Sequence, residues 1–307
     1  MTPPLIVGSA SRDLTADDPR GWRLGGGATY CGLTLAQLGL RPRIVLGVDR
    51  EAAVATELDL LRGAGADLHL IPLSEGPVFR NEDTPDGRIQ FCETPGDRLP
   101  PLIPDEWRES ETLLLAPVAD ELGPAWADLA IAFPFVALGW QGLLRRLPRG
   151  GMVSRLAPAA SSLIRLAGLI SVSREDIGPE VAPATLLSLV NPPATVLITD
   201  GVAGGIVMRL QADGSLRSRR YPAISAAATV DPTGAGDAFL AAMVAAHLGH
   251  PLAGSGRSGS DLRLAAAIAS LVLEAPGLYG VPTLDAIAER LRRSMTGPRA
   301  IVDSTSS

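Results

Sequence analysis

The chain has 307 residues, of which 46% are apolar and 20% charged, and its formal net charge is −6. This apolar content can fill a sizeable core, which excludes a mainly disordered chain, and the acidic balance gives no electrostatic footprint for nucleic acid or an anionic membrane. The longest apolar run, residues 129–140, is too short to span a bilayer. With two cysteines and no visible signal peptide, the sequence predicts a soluble cytoplasmic protein.

All 27 basic residues are arginine, because the sequence contains no lysine. Walker-type phosphate loops and protein kinases need a lysine at the phosphates, and Schiff-base enzymes need a lysine amine. These classes are therefore excluded. The three histidines show no zinc-ligand spacing, so we expect no histidine-based metal site.

Short apolar runs alternate with amphipathic segments along most of the chain. The apolar runs predict buried strands at residues 5–7, 44–48, 68–71, 112–115, 136–138, 169–172 and 195–199. The amphipathic segments predict helices at residues 28–38, 51–62, 161–167, 235–248, 262–274 and 284–295. Alternation of this kind predicts an α/β protein with a doubly wound, mostly parallel sheet.

One insertion interrupts the alternation. Residues 78–81 and 88–93 read as two strands around the turn Thr84-Pro85-Asp86-Gly87. Two strands are not stable alone in water, so they must pair with other strands, such as N-terminal ones, or with another subunit. We therefore expect a single domain over residues 1–295 with a small β lid at about 76–95 plus N-terminal strand segments, followed by a tail at 296–307.

The segment Val230-Asp231-Pro232-Thr233-Gly234-Ala235-Gly236-Asp237-Ala238-Phe239 precedes a helix rich in small residues. Its two glycines allow a ligand to approach the backbone, and the helix start presents free N–H groups to an anion. Asp237, in the first turn, is placed to accept a proton from a hydroxyl. Backbone donors and a base at one helix end suit phosphoryl transfer.

The run DPTGAGDAF resembles the C-terminal signature of the ribokinase-like, or pfkB, carbohydrate kinases. Three other segments are similar to motifs of that family, in its order: GSASRD from Gly8, GGGATY from Gly25 and TDGVAG from Thr199. The resemblance covers about residues 5–290. It implies a three-layer α/β/α ribokinase-like fold with a β lid, and an ATP-dependent kinase acting on a hydroxyl of a sugar, polyol or inositol.

The resemblance also implies roles for individual residues. Asp237 matches the catalytic base, and the anion hole for the transferred phosphate matches Gly234, Ala235 and Gly236. The substrate side matches Ser11, Asp13, Gly25 and Gly26, and the lid adds Arg88 and Gln90. The nucleotide side would involve Thr199, Gly201, Gly204, Thr233 and Ala269.

Two metal sites are implied as well. Asp231 and Thr233 match positions near a monovalent cation, K+, in many members. The motif that organises Mg2+ has its counterpart in Ser173-Arg174-Glu175-Asp176, where Asp176 supplies the carboxylate. In many relatives the lid also forms a dimer contact, which leaves a homodimer open.

Two departures bear on the substrate. Tyr30 stands where many sugar kinases have asparagine, which argues against ordinary ribose or fructose recognition. The segments 81–82, 87–90, 117–121 and 139–142 resemble a less-studied branch, some of whose members look like inositol kinases.

Three other readings are weighed against a sugar or polyol kinase. A nucleoside kinase of the same fold and a catalytically silent regulatory relative both fit the motifs, although a binding protein has no need of Asp237. A dinucleotide-dependent oxidoreductase would fit the alternation alone. The first strand, however, leads into Gly8-Ser9-Ala10-Ser11 and not into a G-x-G-x-x-G turn.

Overall fold

The computed structural model describes residues 2–84, 87–254 and 259–296. The strands in chain order are β1 (Leu5–Ser9), β2 (Ser11–Leu14), β3 (Trp22–Gly25), β4 (Arg43–Val48), β5 (Asp67–Pro72), β6 (Val78–Thr84), β7 (Gly87–Thr94), β8 (Thr112–Leu115), β9 (Phe135–Gly139), β10 (Arg145–Arg146), β11 (Gly151–Met152), β12 (Ser154–Arg155), β13 (Leu169–Ser173), β14 (Ala194–Thr199), β15 (Gly205–Leu210) and β16 (Leu216–Tyr221). The α-helices are α1 (Gly27–Gln37), α2 (Glu57–Gly63), α3 (Ala125–Ala130), α4 (Ser162–Leu166), α5 (Arg174–Ile177), α6 (Pro183–Leu187), α7 (Ala235–His247), α8 (Ser260–Val272) and α9 (Leu284–Thr296).

Within these residues the main sheet has nine strands in the order β16-β15-β14-β13-β9-β8-β1-β4-β5. The strands from β14 to β5 in that order are parallel, and β15 and β16 add an antiparallel edge. The doubly wound, mostly parallel sheet predicted from the sequence is therefore confirmed. In such sheets ligands bind at the carboxyl ends of the strands, near the point where strand order reverses.

Helices cover both faces of this sheet, because alternate residues of the strands are apolar on either side. In β1, Ile6 packs in one core cluster with helices α1, α2, α7, α8 and α9, while Leu5 and Val7 pack in the other with α3 to α6. All three side chains are fully buried. The result is a three-layer α/β/α arrangement.

The lid is a separate sheet of five strands in the described residues, in the order β11-β7-β6-β2-β3. The β6–β7 hairpin pairs with the N-terminal strand β2 in parallel, with Asp13 opposite Phe79. Ion pairs join the lid to the main domain, from Arg12 to Asp49 at 2.9 Å and from Arg20 to Glu57 at 2.6 Å. The lid is thus built from several parts of the chain and anchored beside α2.

The structure corrects three details. The predicted helix at 51–62 is divided into a 3₁₀ turn at Ala52–Val54 and helix α2, because Ala55 takes an extended conformation. The strand predicted at 5–7 extends to Ser9, and Asp13 lies on the separate lid strand β2. Strands β15 and β16 were not predicted. The turn residues 85–86 and the tail from 297 lie outside the described residues.

Among the helices described, none combines the length and the apolar content that a membrane crossing requires.

Candidate active site

Asp237 lies in the first turn of α7, where this helix packs against the start of α1. Gly234, the residue before α7, has φ +80° and faces Tyr30 so closely that a Cβ at this position would overlap the Tyr30 ring. Gly27, at the start of α1, lies close to Asp237, since a Cβ there would be 2.9 Å from the carboxylate Oδ1. The amino ends of two helices therefore meet at this carboxylate.

The Asp237 carboxylate is only partly exposed, and among the described residues none donates a hydrogen bond to it. Removal of surrounding water raises its pKa to about 7, with Arg145 opposing and Asp176 reinforcing the rise. A carboxyl group with such a pKa exchanges its proton readily near neutral pH. Its oxygens are free to accept a hydrogen bond from a substrate hydroxyl.

This shift predicts a pH dependence of activity. Because the pKa is raised from 3.8 to about 7, the carboxylate that acts as base should be lost as the pH falls below 7. We expect kcat/KM to fall about tenfold per pH unit on that side, which a profile from pH 5 to 9 would measure. A profile that stays flat down to pH 5 would contradict the assignment of Asp237 as the base.

Ser11 and Asp13 face Gly25 across the β2–β3 pair. The Ser11 hydroxyl donates to Asp13 Oδ1 at 3.0 Å, and Ser11 stands opposite Gly25 in register. A Cβ at position 25 would overlap the Asp13 carboxylate, and one at Gly26 would overlap the backbone of Ser9. Gly25 therefore leaves room for the Asp13 carboxylate, and Gly26 allows the backbone before α1 to lie against the end of β1.

A cavity of about 450 Å³ separates the lid from the main domain. Asp13, Tyr30, Asn81, Asp231 and Thr233 are among the residues that line it. It brings together residues selected from the N-terminal motif and from the DPTGAGDAF run. Tyr30 is 1% exposed, and burial raises its pKa well above the usual value, with Asp13, Asp231 and Asp237 adding to the effect. The phenol is therefore neutral at physiological pH.

The lid contributes Asn81, a residue that the sequence analysis did not select as a site residue. Gln90 stands opposite Asn81 in the β6–β7 hairpin and donates from Nε2 to its Oδ1 at 3.0 Å. Gln90 therefore holds Asn81, and it is Asn81 that lines the cavity. The side chain of Arg88 lies outside the described residues.

Asp231 holds the turn before α7. Its Oδ1 accepts from the Thr233 N–H and its Oδ2 from the Gly277 N–H, each at 3.0 Å. The carboxylate thus joins this turn to the segment after α8. The oxygen atoms of Asp231 and Thr233 are of the ligand type that an alkali cation takes. The K+ site expected from the sequence stays a prediction.

Asp176 lies in the short helix α5, and its charge contributes to the raised pKa of Asp237. The Ser173 hydroxyl donates to Asp176 Oδ2 at 2.5 Å, and Gln141 Nε2 donates to Oδ1 at 3.3 Å. No cluster of three or more metal-ligating side chains occurs in the described part of the chain. Mg2+ in phosphoryl-transfer sites commonly uses one or two carboxylates plus substrate phosphates, so Asp176, with Glu175 beside it, fits this ion.

Three of the residues selected for the nucleotide, Thr199, Gly201 and Gly204, lie at the end of β14 or in the turn that follows it. Thr199 ends β14, and Gly201 opens the 3₁₀ turn that follows it. Gly204 has φ +84°, and a Cβ there would overlap the Tyr221 carbonyl oxygen, so the turn requires glycine. Ala269 lies on α8, partly buried against the core. Their role in binding a nucleotide stays a prediction.

Arg145 is a site residue that the sequence analysis missed. It follows the 3₁₀ turn Gln141–Leu144 after β9, and its side chain is 15% exposed. Burial lowers its pKa, while the nearby Asp176, Asp237 and Asp13 favour its charged form. No motif marks this position. The sequence showed only that the nearby segment 139–142 resembles a less-studied branch of the family.

Residues 155–284 match the sequence profile described as "pfkB family carbohydrate kinase". The C-terminal part of the chain is therefore similar to that family over somewhat less than half of its length. The recognition made from the four sequence motifs is confirmed. The match supports a phosphotransferase activity in general terms, without specifying the acceptor. Among curated proteins, none matches the chain significantly.

Solved structures show the fold over nearly the whole chain. Ribokinase from Arabidopsis thaliana, complexed with ribose and ATP, is 20% identical, with 95% of this chain and 99% of that chain covered and a TM-score of 0.67. A pyrophosphate-dependent kinase in the ribokinase family, complexed with a pyrophosphate analogue and myo-inositol, is 18% identical, with coverage of 94% and 99% and a TM-score of 0.68. The nucleoside kinase of Methanocaldococcus jannaschii is 18% identical, with coverage of 95% and 99% and a TM-score of 0.66. The ribokinase-like fold is therefore confirmed.

Proposed function

We propose that this protein is an ATP-dependent kinase that transfers the γ-phosphoryl group to a hydroxyl of a sugar, polyol or inositol. The observation that carries the proposal is Asp237, an unpartnered carboxylate with a pKa of about 7 directly after the Gly234–Gly236 turn. A base and a row of backbone donors at one helix end can act on the two reactants of a phosphoryl transfer. A silent binding protein has no use for this pairing.

The chemistry follows from where these groups lie. Asp237 accepts the proton of the acceptor hydroxyl as its oxygen forms a bond to the γ-phosphorus, and the bond from that phosphorus to the bridging oxygen breaks. The electron pair of the broken bond leaves with ADP. The backbone N–H groups at 234–236 stabilise charge on the transferred group. When bound, Mg2+ would neutralise the donor phosphates, with Asp176 as its carboxylate ligand.

An inositol or another cyclic polyol is the acceptor class that the site favours within this proposal. The Tyr30 ring fills the space beneath Gly234, where an asparagine would leave a shorter polar side chain. The acceptor cavity therefore combines an aromatic surface with the polar atoms of Asp13 and Asn81. One structural neighbour is complexed with myo-inositol, which agrees with this choice.

The test is ADP release with Mg-ATP and K+ over a panel of sugars, inositols and nucleosides. Pyrophosphate is run as a second donor, with phosphate release as the readout. Activity on an inositol that disappears in Asp237→Asn supports the proposal. Activity only on nucleosides would move the assignment to the nucleoside kinase. Failure of the wild-type protein to turn over any acceptor, with either donor, would favour the silent regulatory relative.

Asp13 should act on the acceptor and not on the donor. Because Asp13 lines the cavity and is held by Ser11, we expect Asp13→Asn to raise the KM for the acceptor about 10- to 100-fold. The KM for ATP should stay within about twofold, since the proposed donor groups lie on α7. Initial rates with each substrate varied in turn measure both values. An unchanged acceptor KM would contradict this role.

A further inference from the structure

Arg145 is a nearly buried cation inside the candidate site. Its side chain is 15% exposed, and it forms one wall of a cavity of about 270 Å³, together with Gly96, Arg98 and Ala119. The charge of Arg145 interacts with the carboxylates of Asp237, Asp176, Asp13 and Glu175. The guanidinium lies 3.8 Å from Asp176, the proposed magnesium ligand, and its charge also acts on Asp237, the proposed base.

The hydrogen-bonding groups of this guanidinium are unused. Its ion pair with Asp176 joins Nη2 and Oδ1 at 3.8 Å, which is too long for a hydrogen bond, and none of the residues described accepts one from it. Arg290 gives a comparison in the same molecule. Its side chain is also 15% exposed, yet it donates to Ser225 O, Ser270 Oγ and Glu274 Oε1.

This contrast separates a binding residue from a structural one. A structural arginine of this burial donates to fixed acceptors, as Arg290 does, because an unsatisfied buried donor destabilises the fold. Arg145 lines the cavity of about 270 Å³, and its guanidinium donates no hydrogen bond to any of the described residues. A planar fork of this kind matches the oxygen atoms of a phosphoryl group.

We propose that Arg145 is a catalytic residue that contacts the phosphoryl group in transfer and donates hydrogen bonds to its non-bridging oxygens. The inference rests on the proposed function, because it requires that a phosphoryl group pass next to Asp237. When an acceptor hydroxyl donates to the Asp237 carboxylate, the phosphorus that its oxygen attacks lies next to that oxygen. Arg145 takes no covalent part: the proton goes to Asp237 and the leaving electron pair to ADP.

The reason for a cation here is electrostatic. The transferred group carries negative charge on three oxygens while both of its axial bonds are partial, and a fixed guanidinium in a water-poor site stabilises that charge without reorganisation. Since the chain contains no lysine, arginine is the residue type that can supply this charge.

The experiment compares Arg145→Gln and Arg145→Lys with Arg146→Gln, an exposed neighbour on the same strand. Calorimetric titration of each protein with Mg-ATP and with Mg-ADP, in the absence of acceptor, isolates the contact to the γ-phosphate. We expect Arg145→Gln to weaken ATP binding about tenfold with ADP binding unchanged, and to lower kcat about 10²- to 10³-fold. Arg145→Lys should recover part of both losses, and Arg146→Gln should match the wild type.

Three results would overturn the inference. An unchanged ratio of ATP to ADP affinity in Arg145→Gln, with a raised acceptor KM, would place Arg145 at the acceptor. Equal weakening of both nucleotides together with a lower melting temperature in both Arg145 variants would make it a structural residue. A wild-type protein that binds neither Mg-ATP nor Mg-ADP would contradict the proposed function itself, a failure that the wild-type titration alone identifies.

Discussion

Asp237→Asn should lower kcat about 10³-fold while nucleotide binding and the fold are kept. The amide has the size of the carboxyl group but cannot accept the hydroxyl proton, and a positioned base contributes about 10²- to 10⁴-fold. The melting temperature should stay the same or rise at pH 8. The reason is that the folded-state pKa of about 7 exceeds the unfolded value of 3.8, so ionised Asp237 lowers stability as the pH rises, and asparagine removes this effect.

Asp261→Asn is the matched control for this experiment. Asp261 occupies the first turn of α8, a helix of 13 residues like α7, and pairs with Arg209 at 3.0 Å outside the site. It tests whether loss of any acidic residue at a helix start reduces activity. Turnover by Asp237→Asn within tenfold of the wild type, or a similar loss in Asp261→Asn, would rule out the assigned role.

Gly234→Ala should destabilise the protein by about 2–4 kcal/mol and abolish activity. Alanine at φ +80° costs about 1–2 kcal/mol, and the added methyl group must displace the buried Tyr30 ring, which adds the penalty of an overpacked core. Urea denaturation followed by circular dichroism measures the difference in the free energy of unfolding.

Gly236→Ala separates this packing effect from an effect on the ligand. A Cβ at position 236 meets no atom within 4 Å, and alanine is favoured over glycine inside a helix by about 0.5–1 kcal/mol. This variant should be as stable as the wild type or more stable, yet turn over more slowly, because its methyl group enters the space proposed for the donor phosphates. Equal stability of the two variants would show that Tyr30 does not depend on a glycine at 234.

The sequence was sufficient for the parts of the molecule that depend on local pattern. The parallel strands were predicted because each is a short run of apolar residues between helical segments, as in 112–115, where prediction and structure agree. The DPTGAGDAF run located the start of α7 because glycine spacing and a following apolar helix occur together. These signals lie within a few consecutive residues.

Features that depend on tertiary context were not predicted. Strand β16 is exposed along most of its length and carries three arginines, so it has no apolar alternation to mark it. Asn81 owes its position to Gln90 on the opposite strand, and Arg145 to the cavity around it. In each case the feature depends on residues that lie on neighbouring strands or turns, and a pattern within a few consecutive residues does not predict it.

The packing of α1 on α7 has a consequence for how the chain must be made. The Cys31 thiol donates to the backbone oxygen of Asp237, 206 positions later, and much of the core on this face comes from α7, α8 and α9. During translation α1 leaves the ribosome long before these partners, with apolar surface exposed in the interval. Prematurely terminated chains are therefore expected to aggregate, and the nascent polypeptide to depend on chaperones until its last helices emerge.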